Sequence, residues 1–136
     1  MEDCIFCKIV KGEIPSYKLY ENDKVLALLD AKPVNIGHSL VIPKEHYPNI
    51  FETPEEIMCE LMRVAKHLSL AIKESMQADG INVTMNNHPA AGQVIFHSHV
   101  HVIPRKSDDG FGTWKGRRDY HEGEKEEVAQ KITKAL

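Results

Sequence analysis

His97-Ser98-His99-Val100-His101-Val102-Ile103-Pro104 decides how this chain folds. Histidines at i, i+2 and i+4 share one face of an extended strand, because successive side chains alternate across the pleat. A helix would scatter the same three rings around its cylinder. The β-branched residues between the rings favour the strand. Val100 and Val102 then point the other way, toward a core. At a rise of about 3.3 Å per residue, the outer two rings start roughly 13 Å apart. A metal–nitrogen bond is only about 2.0–2.1 Å long, so one straight strand cannot bring all three rings onto one ion. The row must divide its labour. A neutral imidazole, with a pKa of about 6.5, is a nucleophile at neutral pH. A row of them offers a nucleophile, an orienting neighbour and an acid/base group in one place.

Working outward, the strand pattern runs from Val94 to Ile103, and Ile81 to Asn86 alternates apolar and polar residues as a second strand. Asn87 to Gly92 is a turn-rich loop between them. Thr53-Pro54-Glu55-Glu56 predicts a helix start, with Thr53 as cap, Pro54 at the first helical position and Glu56 completing a capping box. Ile57, Leu61, Ala65, Leu68 and Ile72 follow at spacings of three and four. Cys59 in this helix is expected to pack and His67 to lie at the surface. Nearer the N-terminus, Tyr17–Tyr20 and Val25–Leu29 read as strands around a polar tip, and His38–Pro43 as a short apolar strand. A last helix is expected from about Glu124 to Ala135. This order predicts one α+β domain over residues 1–136 with a mainly antiparallel sheet.

The chain has 136 residues, with 17 Lys+Arg against 20 Asp+Glu, for a net charge of −3. That balance gives no basic platform for nucleic acid. No apolar run approaches membrane-spanning length. The opening Met1-Glu2-Asp3-Cys4-Ile5-Phe6-Cys7 lacks a secretory profile, so a cytoplasmic protein is expected. Three cysteines, an odd count, argue against a disulfide framework. Cys4-Ile5-Phe6-Cys7 has the spacing of half a metal knuckle or of a redox pair, or is simply two small buried residues near a terminus. A redox pair would want a strand before it, and none precedes it here.

Gly92-Gln93-Val94-Ile95-Phe96-His97-Ser98-His99-Val100-His101-Val102-Ile103 resembles the histidine-triad motif with its Gly-Gln lead. Cys4 to Ser16, Leu29-Asp30, Gly37 to His46 and the strand end at Asn86 extend the likeness over roughly residues 4 to 115. Together these blocks resemble the bacterial branch of the histidine-triad (HIT) family, akin to histidine-triad nucleotide-binding proteins. The resemblance implies a five-stranded antiparallel sheet with flanking helices, paired as a homodimer. It implies a nucleotidyl hydrolase or transferase that cleaves nucleoside phosphoramidates or dinucleoside polyphosphates and releases a nucleoside monophosphate.

Carried onto this chain, His99 is the nucleophile, with His101 and His38 lining the same pocket. Gln93 and Asn86 would hydrogen-bond phosphate or ribose oxygens, and Asp30 the ribose hydroxyls. Ile5, Phe6 and Leu28 would sandwich a purine base. Read without the resemblance, Asp30 and His38 are strand-end residues, Asn86 a turn residue and Gln93 a structural one. Relatives with the C-x-x-C opening bind structural zinc, which implies one closed site per chain from Cys4, Cys7, His46 and His97. An N-terminal knuckle segment (1–16) and a helical tail (about 121–136) complete this division of the chain. His88 and His121 read as loop or surface residues, and Trp114 as a pocket-lining or protomer-bridging residue. Many relatives carry a hydroxyl residue where this chain has Val94, and valine cannot donate to a phosphate or a leaving group. The alternative is therefore a purine-nucleotide-binding regulator with little turnover. A third class, a zinc-stabilised interaction module, fits poorly with the joint presence of His38, His99, His101, Asp30, Asn86 and Gln93.

Overall fold

The computed structural model describes residues 3–136. Its elements run α1 (Ile5–Val10), β1 (Lys18–Glu21), β2 (Val25–Leu29), β3 (Ser39–Pro43), α2 (Glu55–Ser75), β4 (Gly80–Thr84), β5 (Val100–Arg105) and α3 (Glu124–Ala135), with one 3-10 turn at Pro89–Ala91. The strands form a single five-stranded sheet in the order β1-β2-β3-β5-β4, and every neighbouring pair is antiparallel. This is the α+β architecture expected.

Alternation along the central strands builds two cores. Val25, Ala27, Val41, Val100 and Val102 lie under α2, against Ile57, Leu61, Val64, Ala65 and Ile72. Leu26, Leu28, Leu40 and Ile42 face the other way and meet Phe6 and Ile9 of α1. Both faces of β2 and β3 are thus covered, which is why these strands read as continuous apolar runs. Each fully buried aliphatic side chain contributes about 1.5–3 kcal/mol. No helix among the described residues is long and apolar enough to cross a membrane.

Three expectations need correction. The ladder of β5 begins at Val100, not at Val94. The register that pairs Val41 with Val100 would set Ser98 opposite Pro43, which has no N–H to donate. The Ser98 N–H instead donates to the Tyr47 carbonyl (2.6 Å), and the Pro43 carbonyl accepts from the His97 ring (2.8 Å). Thr53 does not cap α2, whose N-terminus has no side-chain cap. Its hydroxyl donates to the Asn49 carbonyl and shares a hydrogen bond with the Ser98 hydroxyl, both at 2.7 Å. Cys59 is exposed, on the solvent side of α2 rather than in its packed face. The last helix lies where expected, yet none of its residues is buried.

Candidate active site and metal site

The three histidines lie where a bent segment runs into β5, and they part company at their rings. His97 is fully buried (0% exposed) and Phe6 packs edge-on against both it and His99. The His97 Nε2–H donates to the Pro43 carbonyl, so Nδ1 carries the lone pair. That nitrogen sits 3.4 Å from Cys4 Sγ, 3.6 Å from Cys7 Sγ and 3.2 Å from His46 Nδ1, and Cys7 Sγ is 3.3 Å from His46 Nδ1. All four donor atoms lie within 4.8 Å of one another. Bonds of about 2.0–2.1 Å to nitrogen and 2.3 Å to sulfur at tetrahedral angles set donor–donor edges of about 3.3–3.8 Å, so the cluster can hold a metal ion. The turn that opens α1 presents both sulfurs, with the Cys7 N–H 3.5 Å from Cys4 Sγ. Burial and then the Cys4 sulfur raise the Cys7 thiol pKa, an effect a bound dication reverses.

His99 is 6% exposed, and its Nδ1–H donates to the His97 carbonyl at 2.7 Å. The donated proton leaves Nε2 as the ring's basic nitrogen. His97 therefore supplies a ring to the cysteine–histidine cluster and a carbonyl to His99. A second chain of hydrogen bonds fixes the other pair. The Val34 N–H donates to His38 Nδ1 (3.0 Å), which puts the His38 proton on Nε2. That Nε2–H donates to His101 Nδ1 (2.9 Å), which leaves the His101 proton on its own Nε2. His99 and His101 stand T-shaped with ring centres 4.9 Å apart. The pair thus offers one bare nitrogen and one N–H side by side.

Burial lowers the pKa of His38, His99 and His101, the last to about 4, where the His99 and His38 rings add to the effect. Asp30 opposes the shift at all three. Its Oδ2 lies 3.5 Å from His38 Nε2. Asp30, His38 and His101 also form a potential ligand set. Their 2.9 Å nitrogen–nitrogen separation is a hydrogen-bond length, shorter than the edge of about 3.3 Å that two metal bonds set. A shared proton accounts for this cluster.

His99, His101, Asp30, Ile5, Phe6 and Leu28 line one cavity of about 770 Å³. The remaining wall is mostly apolar and includes Ile9, Ile14, Leu40 and Ile95, which sequence reasoning did not single out. Leu28 was named through the resemblance, and Leu40 lies in the expected His38–Pro43 strand without any mark of the cavity. Ile14 and Ile95 belong to connections and carry no periodic signal. His38 does not line the cavity; it is buried behind His101. Gln93 and Asn86 also lie outside the lining. The Gln93 amide is fully engaged: Nε2 donates to the Pro48 and Ile95 carbonyls (2.5 and 3.1 Å), and Oε1 accepts from the His88 N–H (2.8 Å). Asn86 Nδ2 is 3.5 Å from the Gly92 carbonyl. Val94 is 82% exposed. His88 and His121 are exposed, and Trp114, 89% exposed, meets no wall of the cavity.

Fold and site together define a class: an antiparallel sheet that holds one imidazole by a backbone carbonyl on the wall of a mostly apolar cavity. The chain belongs to the HIT family, whose domain pattern matches residues 11–108. It is 50% identical over 107 residues to a relative from Arabidopsis thaliana named adenylylsulfatase HINT3, covering 79% of this chain and 54% of that protein. A crystal structure of a HIT family member from Bacillus subtilis superposes with a TM-score of 0.92 at 40% identity, over 98% of this chain and 97% of that one. A zinc-bound histidine-triad family protein from Mycobacterium smegmatis superposes with a TM-score of 0.78 at 34% identity, over 99% of each chain.

Proposed function

We propose that this protein is a nucleotidyl hydrolase or transferase that acts through His99. The observation that carries the reading is the His99 Nδ1–H···O=C His97 hydrogen bond, which leaves Nε2 bare in a ring that lines the cavity. The nucleoside of a phosphoramidate or dinucleoside polyphosphate occupies the apolar wall of Ile5, Phe6 and Leu28, with its ribose near Asp30. His99 Nε2 attacks the α-phosphorus; the phosphorus–nitrogen bond forms as the bond to the leaving group breaks, and the leaving group departs with the electron pair. The N-phosphorylated ring is an imidazolium whose Nδ1–H still donates to the His97 carbonyl. His101 Nε2–H supplies a donor for phosphate oxygen or the leaving group, and His38 holds that tautomer. Water then attacks phosphorus and gives up a proton, which restores the His101 Nε2–H where an amine leaving group took it; nucleoside monophosphate leaves, and His99 Nε2 regains its lone pair. Gln93 and Asn86 act here by holding the 86–93 loop at the phosphate end. The Arabidopsis relative's name, adenylylsulfatase, agrees with this class of chemistry.

Zinc is the ion that best suits the Cys4, Cys7, His46 and His97 set: two sulfurs and two imidazoles with no open position make a structural site. The Mycobacterium neighbour, described as zinc-bound, supports the choice. The expected homodimer would pair on an exposed sheet edge, and β4 is one such edge, beside an apolar groove lined by Met62, Leu70, Ile81 and Val83. Three unpaired cysteines suit a reducing compartment such as the cytoplasm.

Val94 favours the second reading, a nucleotide-binding regulator with slow turnover. The two separate on incubation with adenosine phosphoramidate and with dinucleoside polyphosphates. Monophosphate release that vanishes in His99→Ala supports the enzyme. Tight binding without release supports the regulator.

A further inference from the structure

The proton order at His38 and His101 is set on the Nδ1 side by the Val34 N–H, which donates to His38 Nδ1, while Asp30 Oδ2 lies 3.5 Å from the protonated Nε2. Val34 lies in the loop between β2 and β3. Local bonds close the loop on itself: the Lys32 N–H donates to Asp30 Oδ1 (2.8 Å), and the His38 N–H to the Asn35 carbonyl (3.0 Å). Besides His38 itself, the side chain that ties this loop to the rest of the fold is Asn35. Its Nδ2 donates to the Pro104 carbonyl (2.9 Å) and to Asp109 Oδ2 (3.0 Å).

Asp109 is itself clamped on both oxygens. Arg105 donates to it through Nε (2.8 Å) and Nη2 (3.0 Å), and the Lys106 and Phe111 N–H groups add two bonds of 3.0 Å. Arg105 Nη1 also donates to Asn82 Oδ1 on β4 (2.7 Å), and Nη2 to the Phe111 carbonyl (2.5 Å). The Asp109 side chain is largely buried beneath this guanidinium. A bidentate arginine–carboxylate pair is rigid and directional. The loop is thus pinned, through one amide, to a fork anchored on β4 and β5. Gly37, at φ +101°, lets the chain turn straight from the pinned loop into His38.

We propose that Asn35, held by Asp109 and Arg105, is a positioning residue that sets the tautomer of the His38–His101 pair. The role presupposes the His99 transfer chemistry above. With the amide present, the Val34 N–H occupies His38 Nδ1 and forces the proton to Nε2. Without it the loop relaxes and His38 can carry its proton on Nδ1. Two lone pairs would then face each other across 2.9 Å unless His101 moved its own proton to Nδ1. That move leaves His101 Nε2 bare beside His99, with no N–H for the phosphate.

The test is a two-bond 1H–15N spectrum of the full-length, metal-loaded, histidine-labelled protein, with Asn35→Ala and Asp109→Ala beside the unaltered chain. The unaltered chain should show His38 protonated on Nε2 only. Both variants should show a substantial Nδ1–H population at His38, while His99 keeps its Nδ1–H. With adenosine phosphoramidate, kcat should fall about tenfold, a fraction of the usual general-acid contribution, and KM should change less than about twofold because the cavity wall is untouched. The two variants act on opposite sides of one hydrogen bond, so either alone is a test if the other does not fold. His38 protonated on Nδ1 in the unaltered chain, or held on Nε2 in a folded variant, overturns the proposal. Absence of turnover in the unaltered chain would overturn the transfer chemistry instead and leave the tautomer reading intact.

Discussion

His97 serves two sites at once, and neither role is visible from its position in the row alone. Its ring joins the sulfur cluster while its carbonyl fixes the proton of His99. The alternation of the three histidines was legible because it depends only on the pleat. The tautomers were not, because they are set by backbone groups at His97, Pro43 and Val34 that leave no mark in the sequence. Gln93 shows the opposite limit: the motif marked it, but its amide is engaged by two carbonyls and an N–H of its own loop. Burial lowers the pKa of His99, the proposed nucleophile, which favours its neutral ring. The rate should therefore be flat from pH 8 to about 6.5 and decline only below that. A pH–rate profile whose acid limb lies above 7 would contradict this. Val94→Ser changes an exposed site and adds a hydroxyl donor. It should raise kcat severalfold, on the order of one new hydrogen bond to the transition state, with unchanged stability; steady-state kinetics with adenosine phosphoramidate decide it.

At the scale of elements, Pro43 and Thr53 explain where regular structure stops. A strand predicted from Val94 gives way to a bent segment because Pro43 offers no N–H opposite Ser98, and that bend frees the His97 carbonyl for His99. Thr53 looked like a cap by its spacing from Glu56. It lies instead against the sheet, where Asn49 and Ser98 outbid the helix terminus for its hydroxyl. Thr53→Val keeps the shape and takes from the buried Ser98 hydroxyl its side-chain partner, while the Asn49 carbonyl keeps the Glu52 and Thr53 N–H groups. It should cost about 1–3 kcal/mol in urea denaturation; a loss under about 0.3 kcal/mol would show that water replaces the bonds. α2 was readable from its helical periodicity, and β2 and β3 from their short apolar runs. α1 was not, because six residues are too few to show one, and the chain there is organised by the cysteine pair and by Phe6 and Ile9.

In the whole molecule, α2 closes one face of the sheet and the short α1 the other, so the cysteine–histidine cluster and the cavity share α1 as a common wall. Metal analysis should find about one zinc per chain. Chelation, or Cys4→Ser with Cys7→Ser, should lower the melting temperature and weaken nucleoside monophosphate binding, because Ile5, Phe6 and Ile9 lose their anchor. Calorimetry on the stripped protein that shows unchanged affinity would separate the two sites. His38, His99 and His101 are all held below their unfolded pKa. The unfolded chain therefore takes up more protons as pH falls below about 6.5, so stability is full above that value and declines toward pH 4. Urea midpoints at pH 7.5, 6 and 5 should fall in that order. The most direct measurement is to quench the protein during turnover of adenosine phosphoramidate and locate the adduct by mass spectrometry and 31P resonance. An adenylyl group on His99 Nε2 is expected. An adduct on His101, or product release with no adduct on His99, would contradict it.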